Sequence, residues 1–138
     1  MGGPLTQEPR ASTEPAAVVI LGWPDRKLAP NNSKGRHWGG ISDARQMARD
    51  QGALAARAFR GAIGRHQALA MAVRVEPPDR KRRDLDNIHA SLKSYIDGIA
   101  AEIGFDDYQI RRVTLDRVDP VQDGRIVIEL YALDTLQA

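Results

Sequence analysis

Apolar residues fall into six runs whose spacing predicts distinct elements. Ala16–Gly22 (AAVVILG) is short, β-branched and closed by Gly22-Trp23-Pro24, so it predicts a strand. The stretch from Trp23 to Gly40 carries Pro24, Pro30, Asn31-Asn32 and Gly39-Gly40 and predicts a long loop. Ala44, Met47, Ala48, Leu54, Ala55 and Ala58 recur at helical spacing behind Ser42, a good N-cap, with Gly52 interrupting the stripe. That helix is expected to end near Gly61–Gly64. Ala68–Glu76 (ALAMAVRVE) alternates as a strand does, and Pro77-Pro78 stops it. Ile88, Leu92, Tyr95, Ile96, Ile99 and Ile103 then form the strongest helical stripe, capped over Asp84–Asn87 and ended by Gly104. Ile110–Val118 and Arg125–Leu133 read as two strands of an antiparallel hairpin, joined through Asp119-Pro120 and Asp123-Gly124. Met47, Met71, Ile96 and Ile99 are assigned to the core. The order β-loop-α-β-α-β-β predicts an α/β (α+β) fold: one domain, a mixed sheet with two main helices packed on it.

Composition narrows the chemistry. At 138 residues the chain suits one core, and residues 1–15, rich in Gly, Pro, Ser, Thr and Glu, read as a disordered arm before a domain over 16–138. It has no cysteine, which excludes disulfides, thiolate zinc sites and a Cys nucleophile. There is neither a membrane-length apolar segment nor a secretory leader, so no membrane partner and a cytoplasmic location are expected. The formal net charge of +2 conceals an asymmetry. Residues 26–83 hold 14 basic and 4 acidic groups, a net of +10, whereas residues 84–138 hold 5 and 11, a net of −6. A block at +10 argues for a polyanionic partner.

The acidic residues are grouped. Asp84 and Asp86 sit two apart at the mouth of the second helix, directly after Arg80-Lys81-Arg82-Arg83, and Asp106-Asp107 follow that helix. Capping explains one Asp of the first pair, and a solvated turn would explain the second pair. Mg²⁺ takes carboxylate oxygens while keeping several waters, so two or three such side chains suffice for a site. Carboxylates beside a phosphate-binding run are what metal-assisted phosphodiester cleavage requires. A restriction-type PD…(D/E)xK site is suggested by Pro78-Asp79 and Lys81, but no acidic residue stands two before a downstream lysine.

PDRKRRDLDN (Pro78–Asn87), LKSYIDGI (Leu92–Ile99) and GFDDYQI (Gly104–Ile110) resemble the RusA family of Holliday-junction resolvases. The WP…PNN…RHW run from Trp23 to Trp38 is similar to that family's N-terminal loop, so the resemblance spans about residues 17–133. It implies a crossover junction endodeoxyribonuclease that acts on four-way DNA junctions as a homodimer, in DNA recombination and repair. The implied cofactor is Mg²⁺, with Mn²⁺ a plausible substitute, and no organic cofactor. Asp84, Asp86 and Asp107 would be the catalytic, metal-holding set, with Asp106 as a neighbour. The family's helix lysine would fall at Ala90. Lys93, four residues before Asp97, takes its place if three residues are inserted, a shift of roughly 60° and 4.5 Å along a helix. Asn87 and His89 are further candidates near the site.

The mechanism so implied is in-line attack of water on a DNA phosphodiester, with Lys93 stabilising developing charge. Arg80, Lys81, Arg82 and Arg83 would hold neighbouring phosphates. Lys34, Arg36, His37 and Trp38 form a second DNA-binding set in the long loop, where an aromatic ring can stack on an unpaired base. A single helix over 87–103 would be about 25 Å long and would separate the two acidic clusters. Either the chain folds back early, or Asp107 joins the Asp84/Asp86 pair of a second subunit. The alternative function is a DNA-binding protein without catalysis, gripping DNA through its basic block.

Overall fold

The structure, a computed structural model, describes residues 8–30 and 38–134. It contains four strands, β1 (Ala17–Gly22), β2 (Leu69–Glu76), β3 (Ile110–Arg117) and β4 (Arg125–Ala132). Three α-helices lie wholly within the described residues: α1 (Trp38–Ala56), α2 (Leu85–Ser91) and α3 (Lys93–Ile103). The sheet is mixed, in the order β1-β4-β2-β3, with β4 antiparallel to both neighbours and β2 parallel to β3. Among the described residues no helix is long and apolar enough to cross a membrane.

β3 and β4 do not form the expected hairpin. The link between them passes over the end of β2, where Val118 N–H donates to the Val75 carbonyl and Val121 N–H to that of Pro77. Residue chemistry accounts for the exchange. Ile126, Val127, Ile128 and Leu130 are all at most 2% exposed, so RIVIELYA suits a central strand covered on both faces. IRRVTLDR is charged and mostly exposed, which suits an edge and blunts stray pairing.

The helices pack on the sheet face formed by Val19, Leu21, Met71, Val73, Ile126 and Ile128, closing one core with Leu92, Tyr95, Ile99 and Ile103. The opposite face carries an ionic chain. Buried Glu76 accepts from Arg125 (2.7 Å) and Arg74 (3.0 Å), and Arg74 also meets Glu129 (3.5 Å).

α1 starts at Trp38, a turn before the expected Ser42 cap, because Ile41 and Ala44 are buried and extend the inward stripe backwards. That stripe is Ile41, Ala44, Ala48, Gly52 and Ala56. Met47, expected in the core, is 59% exposed, and Leu54 is 68% exposed. Met47 stands one residue, or about 100°, from Ala48, and Leu54 two residues, or about 200°, from both Gly52 and Ala56. The small residues on the stripe have a cause. A Cβ on Gly52 would lie 2.1 Å from the Tyr95 carbonyl oxygen, and one on Gly98 would lie 2.0 Å from that of Arg49. α1 and α3 therefore cross backbone to backbone through reciprocal glycines. Gly52, read as an interruption, is the point of closest approach.

The helix expected over 87–103 is broken at Leu92, which is fully buried and keeps right-handed helical angles (φ −89°, ψ −7°). The chain therefore runs on into α3 without turning back. Residues 8–15, expected to be disordered, are tied down: Ala11 bridges Leu133, Ser12 N–H donates to the Ala132 carbonyl, and Arg112 donates to the Pro9 carbonyl at 2.7 Å.

Candidate functional site

Because β1, β2 and β3 run in one direction and β4 in the other, their connections gather at one end of the sheet. Trp23 follows β1, Pro77–Asp84 follows β2, Arg117 ends β3, and Gly124 precedes β4. Gly124 has φ +68°, and a Cβ there would come within 2.8 Å of Pro78 Cδ and 3.0 Å of Trp23 Cε3. Glycine thus lets three connections close on one another.

The run Pro78–Asp84 turns on Asp79, whose Oδ1 accepts the Lys81 N–H at 2.9 Å and Arg83 Nη1 at 2.7 Å. The Arg83 guanidinium, and secondarily the Lys81 amide, hold the Asp79 carboxyl below the usual carboxylate range. This turn pushes Arg80, Lys81 and Arg82 outward, all exposed. Clefts flank them on both sides. One, about 380 Å³, runs between this ridge and Arg117, Asp119 and Pro120. The other, about 660 Å³, is lined by Trp23, Arg26, Lys81, Arg82, Asp84 and Asn87, with Ser91 deeper in.

Asp84 caps α2 through Oδ1, which accepts the Asp86 N–H at 3.0 Å. Both side chains are exposed, and no other described residue engages the carboxylate of Asp84 or that of Asp86. Capping thus uses one of four carboxylate oxygens, and two open carboxylates beside water fit what Mg²⁺ takes. Asn87 lines the larger cleft one helical turn on, while His89, half-buried, faces away from it.

Asp107 is elsewhere. It lines a mainly apolar cavity of about 350 Å³ with His89, Lys93, Asp97, Ile96 and Val113. Parallel pairing puts the start of β3 and the end of β2 at opposite ends of the sheet. Asp84 and Asp107 thus line different cavities, and Asp86 lines neither. Among the described residues, no three His, Asp or Glu side chains gather around a metal-sized space. Lys93 pairs with Asp97 (3.1 Å) on Asp107's side of the helix, not beside Asp84.

Asp106 has a local duty that weakens its expected metal role. Its side chain accepts the Tyr108 N–H at 3.0 Å, while the Gln109 side chain accepts the Asp106 N–H at 2.9 Å, a capping box on a single 3₁₀ turn. Arg83, expected to grip phosphate, is committed inward as well: it pairs with Asp79 and lies 5.3 Å over the Trp23 ring. Lys34, Arg36, His37 and the side chain of Trp38 lie outside the described residues. Trp23, Arg26 and Arg117 were missed as site residues. The Trp-Pro pair after β1 was legible as a loop signal, but nothing in spacing tied it to Arg83.

No protein-family model matches the sequence. The chain is similar to an uncharacterized protein of Xylella fastidiosa (strain Temecula1 / ATCC 700964), 29% identical over 133 residues, covering 94% of this chain and 86% of that one. The likeness runs through every element of the fold and brings no activity with it.

Proposed function

We propose that this protein is a Mg²⁺-dependent, structure-selective DNA endonuclease of RusA type, which resolves four-way junctions by paired nicks as a homodimer. The observation that carries this reading is the exposed Asp84/Asp86 pair at the foot of the exposed Arg80-Lys81-Arg82 ridge. Asp84 and Asp86 hold Mg²⁺, and Mn²⁺ can replace it. When bound, the ion lowers the pKa of a coordinated water and offsets charge on the phosphate. Arg80, Lys81 and Arg82 bind backbone phosphates on either side of the scissile bond, orienting the strand without reading sequence. Asp107 of a second copy completes each acidic site, because in one chain Asp107 and Asp84 line different cavities. Lys93 and His89 accompany Asp107 and act from that side. Work in DNA recombination and repair, in the cytoplasm, follows from such a substrate.

The test is a synthetic four-way junction incubated with the purified protein in Mg²⁺ and in EDTA. Symmetric paired nicks in Mg²⁺ alone are expected; an intact junction at saturating protein sinks the proposal. The placing of Asp84 and Asp107 in different cavities also favours a second reading, a non-catalytic protein that grips branched or duplex DNA through the ridge. That protein would bind the junction and leave it uncut.

A further inference from the structure

Arg83 differs from the three basic residues before it. Its side chain is 22% exposed and held by two contacts, and a third holds its backbone. Nη1 donates to Asp79 Oδ1 at 2.7 Å, its guanidinium carbon stands 5.3 Å from the Trp23 ring centroid, and its own carbonyl accepts from Arg117 Nη1 at 2.5 Å. Trp23 in turn is backed by Gly124 and the neighbouring Pro78. One residue is thereby tied to the connections that follow β1, β2 and β3. A phosphate contact needs a cation that can turn its donors outward, and this one spends its charge on Asp79 and its flat face on an indole. The residue that follows Arg83 in the chain is Asp84.

We infer that Arg83 and Trp23 are positioning residues, a clasp that fixes the backbone at Asp84 and so aims the carboxylate pair, and that Arg83 does not contact DNA. The inference rests on the nuclease reading for what Asp84 does, but its DNA-binding half stands without it. Groups that orient metal-holding side chains typically change metal affinity about 10–100-fold when removed. Lysine keeps the charge of Arg83 but loses the planar face, so it cannot restore the clasp.

The test compares R83Q, R83K and W23F with R82Q, all in the full chain, after thermal melting confirms folding. Junction binding is measured against salt in EDTA, without metal. R82Q should bind several-fold more weakly and flatten the salt dependence by about one unit of log–log slope. R83Q should match wild type within two-fold and leave the slope unchanged. Cleavage against Mg²⁺ concentration should then show R83Q and R83K needing about 10-fold more ion for half-maximal rate. W23F, which keeps an aromatic face, should need less than that. A flattened slope in R83Q makes Arg83 a phosphate contact and overturns the clasp. A lower melting temperature and lower maximal rate with an unmoved Mg²⁺ midpoint reduces it to a structural role and overturns it too. Failure of the nuclease reading looks different: wild type does not cleave at any Mg²⁺ concentration, which removes the aiming role, while the R83Q slope still decides whether Arg83 meets DNA.

Discussion

At the residue level the candidate site divides side chains by what their free atoms can still do. Asp84 and Asp86 keep oxygens open after capping, whereas Asp106 and Arg83 are consumed by local partners. D84N and D86N should each lower junction cleavage by 100-fold or more and leave binding equal or tighter, since a negative charge near phosphate is removed. Parallel nicking and gel-shift titrations check this, and a matched loss of binding and cleavage would contradict it. Glu76 gives a pH prediction of known sign. Its carboxyl is held below the ordinary value chiefly by the Arg125 hydrogen bond, against burial and with help from Arg74. A depressed folded-state value stabilises the native protein above the unfolded pKa of about 4.3, and that stabilisation is lost as pH falls through the folded value. E76Q should therefore be less stable than wild type at pH 7, with the gap shrinking below pH 4 in urea melts. A gap that does not depend on pH would show that the ionic chain contributes nothing through titration. The Asp pair was legible because capping needs only one carboxylate and the chain supplies two. The inward role of Arg83 was not, because its neighbours Trp23 and Arg117 are distant in sequence and their meeting depends on strand order.

Among the elements, the α1–α3 crossing shows where periodicity informs and where it misleads. The apolar repeat located both helices, yet a stripe drawn through Met47 and Leu54 took the wrong face. The correct face is built of Ala and Gly, whose low hydrophobicity hides it from a pattern search. Its rationale is steric: the backbones meet at Gly52 and Gly98, and any Cβ there overlaps a carbonyl oxygen. G52A and G98A should each destabilise the protein by about 3 kcal/mol, at the severe end of overpacking, and the double variant by less than the sum. Guanidinium titrations measure this, and a G98A loss under 1 kcal/mol would mean the helices part readily. Strand order follows the same logic. Turn residues suggested a β3–β4 hairpin, but the demand that the most apolar strand be central outweighed the nearness of the two strands in sequence.

Across the whole molecule, the opposed charges of the chain resolve into places. The basic ridge and the Asp84/Asp86 pair share the end of the sheet where β1, β2 and β3 terminate, while Asp107 stands at the start of β3 with Lys93. α2 runs directly into α3, and the β2–β3 ladder is paired from Leu69 to Val75. A two-fold dimer removes the difficulty, since each copy can lend its Asp107 to the other's pair, and two such sites match the two symmetric cuts a junction needs. The arithmetic of mixed dimers makes this decisive. In a dimer of D84N with D107N, one site holds both substitutions and the other holds neither. Each variant alone should be inactive, and an equal mixture, half of it heterodimer, should recover about a quarter of wild-type nicking. Each heterodimer has one working site, so the product should be singly nicked junctions instead of resolved duplexes. Sites confined to one chain predict a dead mixture, because every chain then carries a broken site. Remixing after mild denaturation, with denaturing gels to count nicks per junction, separates the two outcomes.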